Sequence, residues 1–150
     1  MHIDTKSAKI ELPSENKTKE FADTISTKIK IGDIIFLYGE MGVGKTTFIR
    51  YLINGFEKKN NLELSEVTSP TFNILNEYYI NKIKINHYDL FRIENVKELK
   101  NLGLFNESSK SITLIEWPQI IQEIPNNLIK LIFKYDDDHN KRFVYIKGLS

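Results

Sequence analysis

Apolar and polar positions along the chain fall into a short series of alternating patterns. Phe21, Ala22, Ile25 and Ile29 recur at helical spacing with lysines and threonines on the other side, and Pro13-Ser14 before them starts the helix with Ser14 as N-cap. Gly32-Asp33 reads as a turn. Ile34-Ile35-Phe36-Leu37-Tyr38 is a continuous apolar run too short for a helix, the pattern of a strand buried on both faces. Gly39 to Gly44 is a glycine-rich loop, and Thr46 to Ile53 predicts a helix closed by Asn54-Gly55.

Glu57 to Glu66 reads as a charged surface connection. Thr71 to Ile80 and Ile83 to Tyr88 predict two strands joined at Asn81-Lys82, and Glu94 to Leu102 a short helical stretch ended by Gly103. Ile112-Thr113-Leu114-Ile115 is a further apolar run that closes on Glu116. Leu128 to Tyr135 and Arg142 to Lys147 flank the turn Asp136 to Lys141 as a terminal hairpin. Tyr78, Tyr79, Phe91 and Phe105 fit core or sheet packing, and Trp117 is left open between core and surface. The expectation is one α/β domain over residues 1–150, with no repeat or linker dividing it. Its sheet is mixed, mostly parallel at the centre, flanked by helices and with antiparallel hairpins.

Composition narrows the function classes. Apolar residues make up 41% and charged residues 27%, enough for a core and against wholesale disorder. Lys plus Arg number 21 against 20 for Asp plus Glu, so the net charge of +1 gives no support to a protein held on nucleic acid by bulk charge. Cysteine is absent, which removes disulfides, thiolate metal sites and cysteine nucleophiles. Asp4, Lys6, Lys9 and Glu11 interrupt the first twelve residues, and no apolar run approaches the roughly 20 residues needed to cross a bilayer. The expected setting is the cytoplasm, with no membrane contact.

Chemistry is concentrated in Gly39-Glu40-Met41-Gly42-Val43-Gly44-Lys45-Thr46, which fits G-x-x-x-x-G-K-[ST] at every defined position and lies between a strand and a helix, as that motif requires. Dense phosphate charge demands many donors close together. Glycines turn backbone N–H groups inward, and the following helix offers its unpaired amides and positive end. Lys45 is placed to reach the terminal phosphates, and Thr46 to ligate Mg²⁺. Two acids, Asp89 and Glu116, end apolar strands and are the candidates for metal and water; spacing alone does not say which ligates the metal. Ser69-Pro70-Thr71 reads either as a nucleotide-sensing loop or as a proline-fixed turn. His87 reads as a packed strand residue, and Asp136 to Asn140 as a solvated turn.

Other phosphate-loop classes fit less well. Asn81-Lys82-Ile83-Lys84 lacks the aspartate of a guanine-recognition motif, and length argues against a large motor. Three arginines in all (Arg50, Arg92, Arg142) are a poor supply for a small-molecule kinase lid. That kinase stays as an alternative, as does a nucleotide-sensing adaptor that does not hydrolyse.

Five ordered blocks resemble one family, the small P-loop ATPase of bacterial tRNA threonylcarbamoyladenosine (t6A) biosynthesis, the TsaE (YjeE) type. They are Tyr38 to Phe48, Val67-Thr68-Ser69-Pro70-Thr71-Phe72, His87-Tyr88-Asp89-Leu90-Phe91-Arg92, Glu98-Leu99 with Leu102-Gly103, and Ile115-Glu116-Trp117-Pro118. The resemblance implies a P-loop NTPase fold, ATP and Mg²⁺ as ligands, and slow hydrolysis. It also implies action with a heterodimer of ASKHA-type proteins (TsaB and TsaD type), through which tRNA is contacted and whose cycle ATP turnover drives or resets. Lys45, Asp89 and Glu116 are then the catalytic positions, and Thr46, Glu116 and Asp89 the metal positions. Gly39 to Thr47, Ser69 and Thr71 line the nucleotide, with Glu15 near the base.

Overall fold

The computed structural model describes residues 7–139 and 141–149. Seven strands form one sheet: β1 (Ser7–Glu11), β2 (Ile34–Tyr38), β3 (Leu75–Ile80), β4 (Ile83–Asp89), β5 (Ile112–Glu116), β6 (Leu128–Tyr135) and β7 (Arg142–Lys147). Their order is β1-β7-β6-β2-β5-β4-β3. The four central strands β6, β2, β5 and β4 run parallel, while β3 on one side and β7 with β1 on the other add antiparallel ladders. This is the P-loop NTPase fold expected from the sequence.

Two helices cover one face. Helix α1 (Glu15–Ser26) is N-capped by Ser14, whose hydroxyl accepts from Lys17 N at 3.2 Å, and it buries Phe21, Ala22 and Ile25. Helix α2 (Lys45–Lys59) buries Phe48, Ile49, Leu52 and Ile53 against the same layer, and the Phe21 and Phe48 rings meet at 5.3 Å. Leu37, Leu114 and Leu131 close this core from the sheet. On the opposite face Ile34, Phe36, Tyr88 and Ile115 pack under Leu104 and partly buried side chains of the short helix α3 (Val96–Leu102). Among the described residues no helix is long and apolar enough to cross a membrane.

Several local expectations are corrected. Helix α2 runs through Asn54-Gly55 instead of ending there. Asn54 spends its side chain on Ser65 O, and Gly55 lets α1 come close: a Cβ there would lie 3.3 Å from Asp23 Oδ1. Glu57 is therefore helical and only 4% exposed, not part of a surface connection. Its carboxylate accepts from the backbone N and the hydroxyl of Ser65 and from Asn54 Nδ2, pinning the chain that follows the helix. The strand expected from Thr71 starts only at Leu75, because Thr71 to Asn73 form a turn and Ile74 takes a left-handed φ of 70°. Of the aromatics expected in core or sheet, Tyr79 lies in strand β3 but is 67% exposed, and Phe91 lies beyond β4, 49% exposed, against Trp117. Strand β1, not anticipated, alternates Ala8, Lys9, Ile10, Glu11 against β7.

Replacing Glu57 by alanine is expected to destabilise the fold by about 1–3 kcal/mol, the range for stranding buried donors. Urea unfolding measures it, and a shift inside error would refute the pinning role.

Candidate phosphate-binding and catalytic site

The loop that leaves β2 wraps back on itself at two glycines whose backbone no other residue would tolerate. At Gly39 a Cβ would lie 2.9 Å from Phe133 O and 2.7 Å from Val43 Cγ1. Gly44, the N-cap of α2, sits at φ 114°, in the left-handed region. The first amides of α2 and the positive end of its dipole thus face the loop's interior. Val43 is 1% exposed and anchors the loop in the core, so its part in any ligand contact is confined to backbone. From the far end of the chain, the Tyr135 hydroxyl donates to Gly42 O at 2.9 Å and braces the loop.

Lys45 is 5% exposed. Its ammonium donates to Gly39 O and lies 4.0 Å from the centre of the Trp117 ring. Burial lowers the Lys45 pKa below the usual lysine value, while the Glu116 and Asp89 carboxylates pull it back up. Trp117 itself takes a left-handed backbone at φ 55°, a strained choice for a bulky residue. Pro118 follows as the first residue of a single 3-10 turn.

The two acids face each other across a parallel ladder in which Asp89 pairs with Glu116. They are engaged differently. Asp89 Oδ2 accepts from Ser69 Oγ at 2.8 Å and Thr71 Oγ1 at 3.2 Å, and Oδ1 from Phe91 N at 2.9 Å, so both oxygens are occupied by protein donors. Glu116 Oε2 meets His87 Nε2 at 2.7 Å; no hydrogen bond from the described residues occupies Oε1. His87 is fully buried and its Nδ1 has no partner among the described residues, an arrangement that costs about 1–3 kcal/mol.

Most of the expected site residues converge. Met41, Gly42, Gly44, Lys45, Thr46 and Thr47 line one side of a cleft of about 470 Å³, and Ser69, Thr71, Asp89 and Glu116 the other. Glu15 belongs to an adjoining cleft of about 280 Å³ that shares Gly44 and Thr47 with the first. It is held there by Arg50 Nη2 and the Tyr51 hydroxyl, both 2.7 Å from its Oε1. Gly39 and Glu40 lie instead on an outer surface beside Trp117.

Among the wall residues not anticipated are Phe91, Trp117 and Arg142 in the first cleft and His139 in the second. Arg142, the first residue of β7, borders both clefts and lies over the Tyr135 ring, which in turn stacks on His139. A sequence signal existed only in Arg142 being one of three arginines in a lysine-rich chain.

A glycine loop between a central parallel strand and a helix, a lysine at its mouth and two carboxylates at neighbouring strand ends define a P-loop protein. The family described as threonylcarbamoyl adenosine biosynthesis protein TsaE matches residues 12–144. The chain belongs to the TsaE family. A relative from Rickettsia bellii, named tRNA threonylcarbamoyladenosine biosynthesis protein TsaE, is 39% identical over 131 residues, covering 87% of this chain and 88% of its own. Proteins of the same name from Borreliella burgdorferi and Aquifex aeolicus are 37% and 33% identical, over 83% and 91% of this chain and 90% and 94% of theirs. The crystal structure of Bacillus subtilis YdiB superposes with a TM-score of 0.71 at 24% identity, covering all of this chain and 90% of that one, which speaks for the fold.

Asp89→Ala should free the turn that leads into β3. Amide hydrogen exchange at Ile74, whose N–H donates to Pro70 O within that turn at 2.6 Å, should accelerate about tenfold, the equivalent of one net hydrogen bond. Unchanged exchange would mean that the Ser69–Thr71 turn holds without the carboxylate.

Proposed function

We propose that this chain binds ATP with Mg²⁺ and hydrolyses it slowly, and that the turnover drives or resets a tRNA threonylcarbamoyladenosine modification complex in the cytoplasm. The observation that carries the reading is the convergence, in one cleft, of the glycine loop, Lys45, Thr46 and the two strand-end carboxylates. The role in tRNA modification rests on family membership and on the names that its relatives carry. The expected partners are a TsaB and TsaD type heterodimer that holds the tRNA.

The donor set fits the ligands. Loop amides, the α2 N-terminus and Lys45 supply positive character for a triphosphate. The adjoining cleft beside Glu15, His139 and Arg142 offers room for the base. The Thr46 hydroxyl and Glu116 Oε1 are the oxygens to hold Mg²⁺ or its waters, whereas Asp89, with both oxygens engaged, acts by holding the Ser69–Thr71 turn against the cleft. When bound, Mg²⁺ neutralises charge on the β- and γ-phosphates. Lys45, moving off Gly39 O, stabilises charge that grows on the phosphoryl oxygens. Glu116 polarises or orients the attacking water. Phe91 and Trp117, whose rings meet at 5.0 Å, form an apolar wall beside it.

Lys45→Ala is expected to abolish productive ATP binding, as read by calorimetry. Glu116→Ala should fold and bind nucleotide but release phosphate at least about tenfold more slowly, the scale of losing one stabilising group. The deciding experiment is phosphate release by the chain alone and with the transferase heterodimer. Release stimulated by the heterodimer and lost in the Glu116 variant supports the coupled ATPase; tight ATP binding without release would make the protein a nucleotide-sensing adaptor.

A further inference from the structure

His87 has no task in the chemistry above, yet it is hydrogen-bonded to Glu116. Its ring is fully buried, and its one hydrogen bond runs from Nε2 to Glu116 Oε2 at 2.7 Å. Nδ1 is buried without a hydrogen-bond partner among the described residues. Packing alone would be served better by an apolar side chain, which would leave no unpaired nitrogen inside the sheet. The polar ring makes sense through the contact with Glu116.

Strand register explains how the contact arises. Asp89 lies opposite Glu116 in the parallel β4–β5 ladder, and His87, two residues before Asp89, points to the same face. The ring therefore sits directly beneath the pair of acids, within the sheet and away from the loop. A glutamate has three side-chain torsions, and the last of them, which sets the plane of the carboxylate, is soft. Without a partner for Oε2 that plane would be free to rotate. The ring nitrogen that faces a carboxylate is the one that carries the hydrogen, so Nε2–H donates and Oε2 is fixed. Glu116 lines the cleft, and no hydrogen bond from the described residues occupies its Oε1.

Resting on the ATPase reading, we infer that His87 is a positioning residue: its Nε2–H locks the Glu116 carboxylate so that Oε1 faces the Mg²⁺ ion and the water of the bound nucleotide. Outer partners of this kind set the orientation of metal-side ligands, and losing one costs about 10- to 100-fold in metal affinity or activity. The division of labour between the acids follows. Serine and threonine hydroxyls and a backbone amide engage both oxygens of Asp89, which holds a turn, while a single ring nitrogen engages one oxygen of Glu116 and leaves the other for chemistry.

The test compares His87→Met with His87→Gln, side chains of similar length and shape of which only glutamine donates a hydrogen bond. Two readouts are taken on the full chain: phosphate release, separated into kcat and KM, and the gain in affinity for a non-hydrolysable ATP analogue when Mg²⁺ is added. His87→Met should bind the analogue without Mg²⁺ within about threefold of the parent, lose about tenfold or more of the Mg²⁺-dependent gain with KM for ATP and Mg²⁺ rising in step, because slow turnover makes KM follow binding, and lose a similar factor in kcat. His87→Gln should recover most of both. In a Glu116→Gln background, His87→Met should add less than about a twofold further effect, since the two residues act as one unit. If His87→Met melts below the assay temperature, His87→Phe, which fills the volume of the ring, takes its place.

A methionine variant with parental kcat and parental Mg²⁺ gain overturns the inference. So do effects that multiply in the double variant, the mark of a merely structural histidine. Should the parent chain hydrolyse no ATP, the ATPase reading falls, and the Mg²⁺-dependent binding still decides the role of His87.

Discussion

Everything at the site depends on the register of three parallel strands. Leu37 pairs with Glu116, and Glu116 pairs with Asp89, so β2, β5 and β4 reach the same rim of the sheet together. A slip of one residue in either ladder would turn a carboxylate to the other face. The apolar sequences of β2 and β5, buried in every residue but Tyr38, give that register its hold. Ligand sites of open α/β sheets lie beyond the carboxyl ends of their parallel strands, and here that rim carries the phosphate loop and both acids.

The antiparallel flanks serve the same rim from outside. On one side β3 folds back along β4, and the turn before it is tied to Asp89 by two hydroxyls. On the other, the β6–β7 hairpin delivers Tyr135 to Gly42 O and Arg142 to the boundary of both clefts. The phosphate loop is thus held by its own glycine geometry, by Val43 in the core and by a phenol from the hairpin. Rigid support on three sides preserves a donor arrangement that a free glycine loop would lose to entropy.

Much of this was legible in the residues. The loop motif, the terminal acids of β4 and β5 and the hairpin strands stand where spacing puts them, because local pattern and long-range pairing agree there. Legibility failed where tertiary demand overrode local propensity. Asn54-Gly55 looks like a helix end, but the pair serves the Ser65 contact and the close approach of α1, so α2 continues. Thr71 and Phe72 look like strand residues, but the Asp89 carboxylate draws the backbone into a turn and Ile74 absorbs the strain. Arg142 and His139 were invisible as wall residues because strand patterning cannot say that a hairpin tip lies beside a distant loop. The buried pairing of His87 with Glu116 depends on inter-strand register, which no single stretch of sequence contains.

The order of the strands also has a consequence for how the protein is made. The central strand β2 is an early segment of the chain, but both its neighbours, β5 and β6, come late, and β1 waits for β7. A ribosome adds about 5–20 residues per second. During much of synthesis, therefore, the nascent chain exposes a bare apolar β2 and a phosphate loop with neither its acids nor its brace. The proposed nucleotide site can therefore be complete only once β5, β6 and β7 have joined the sheet.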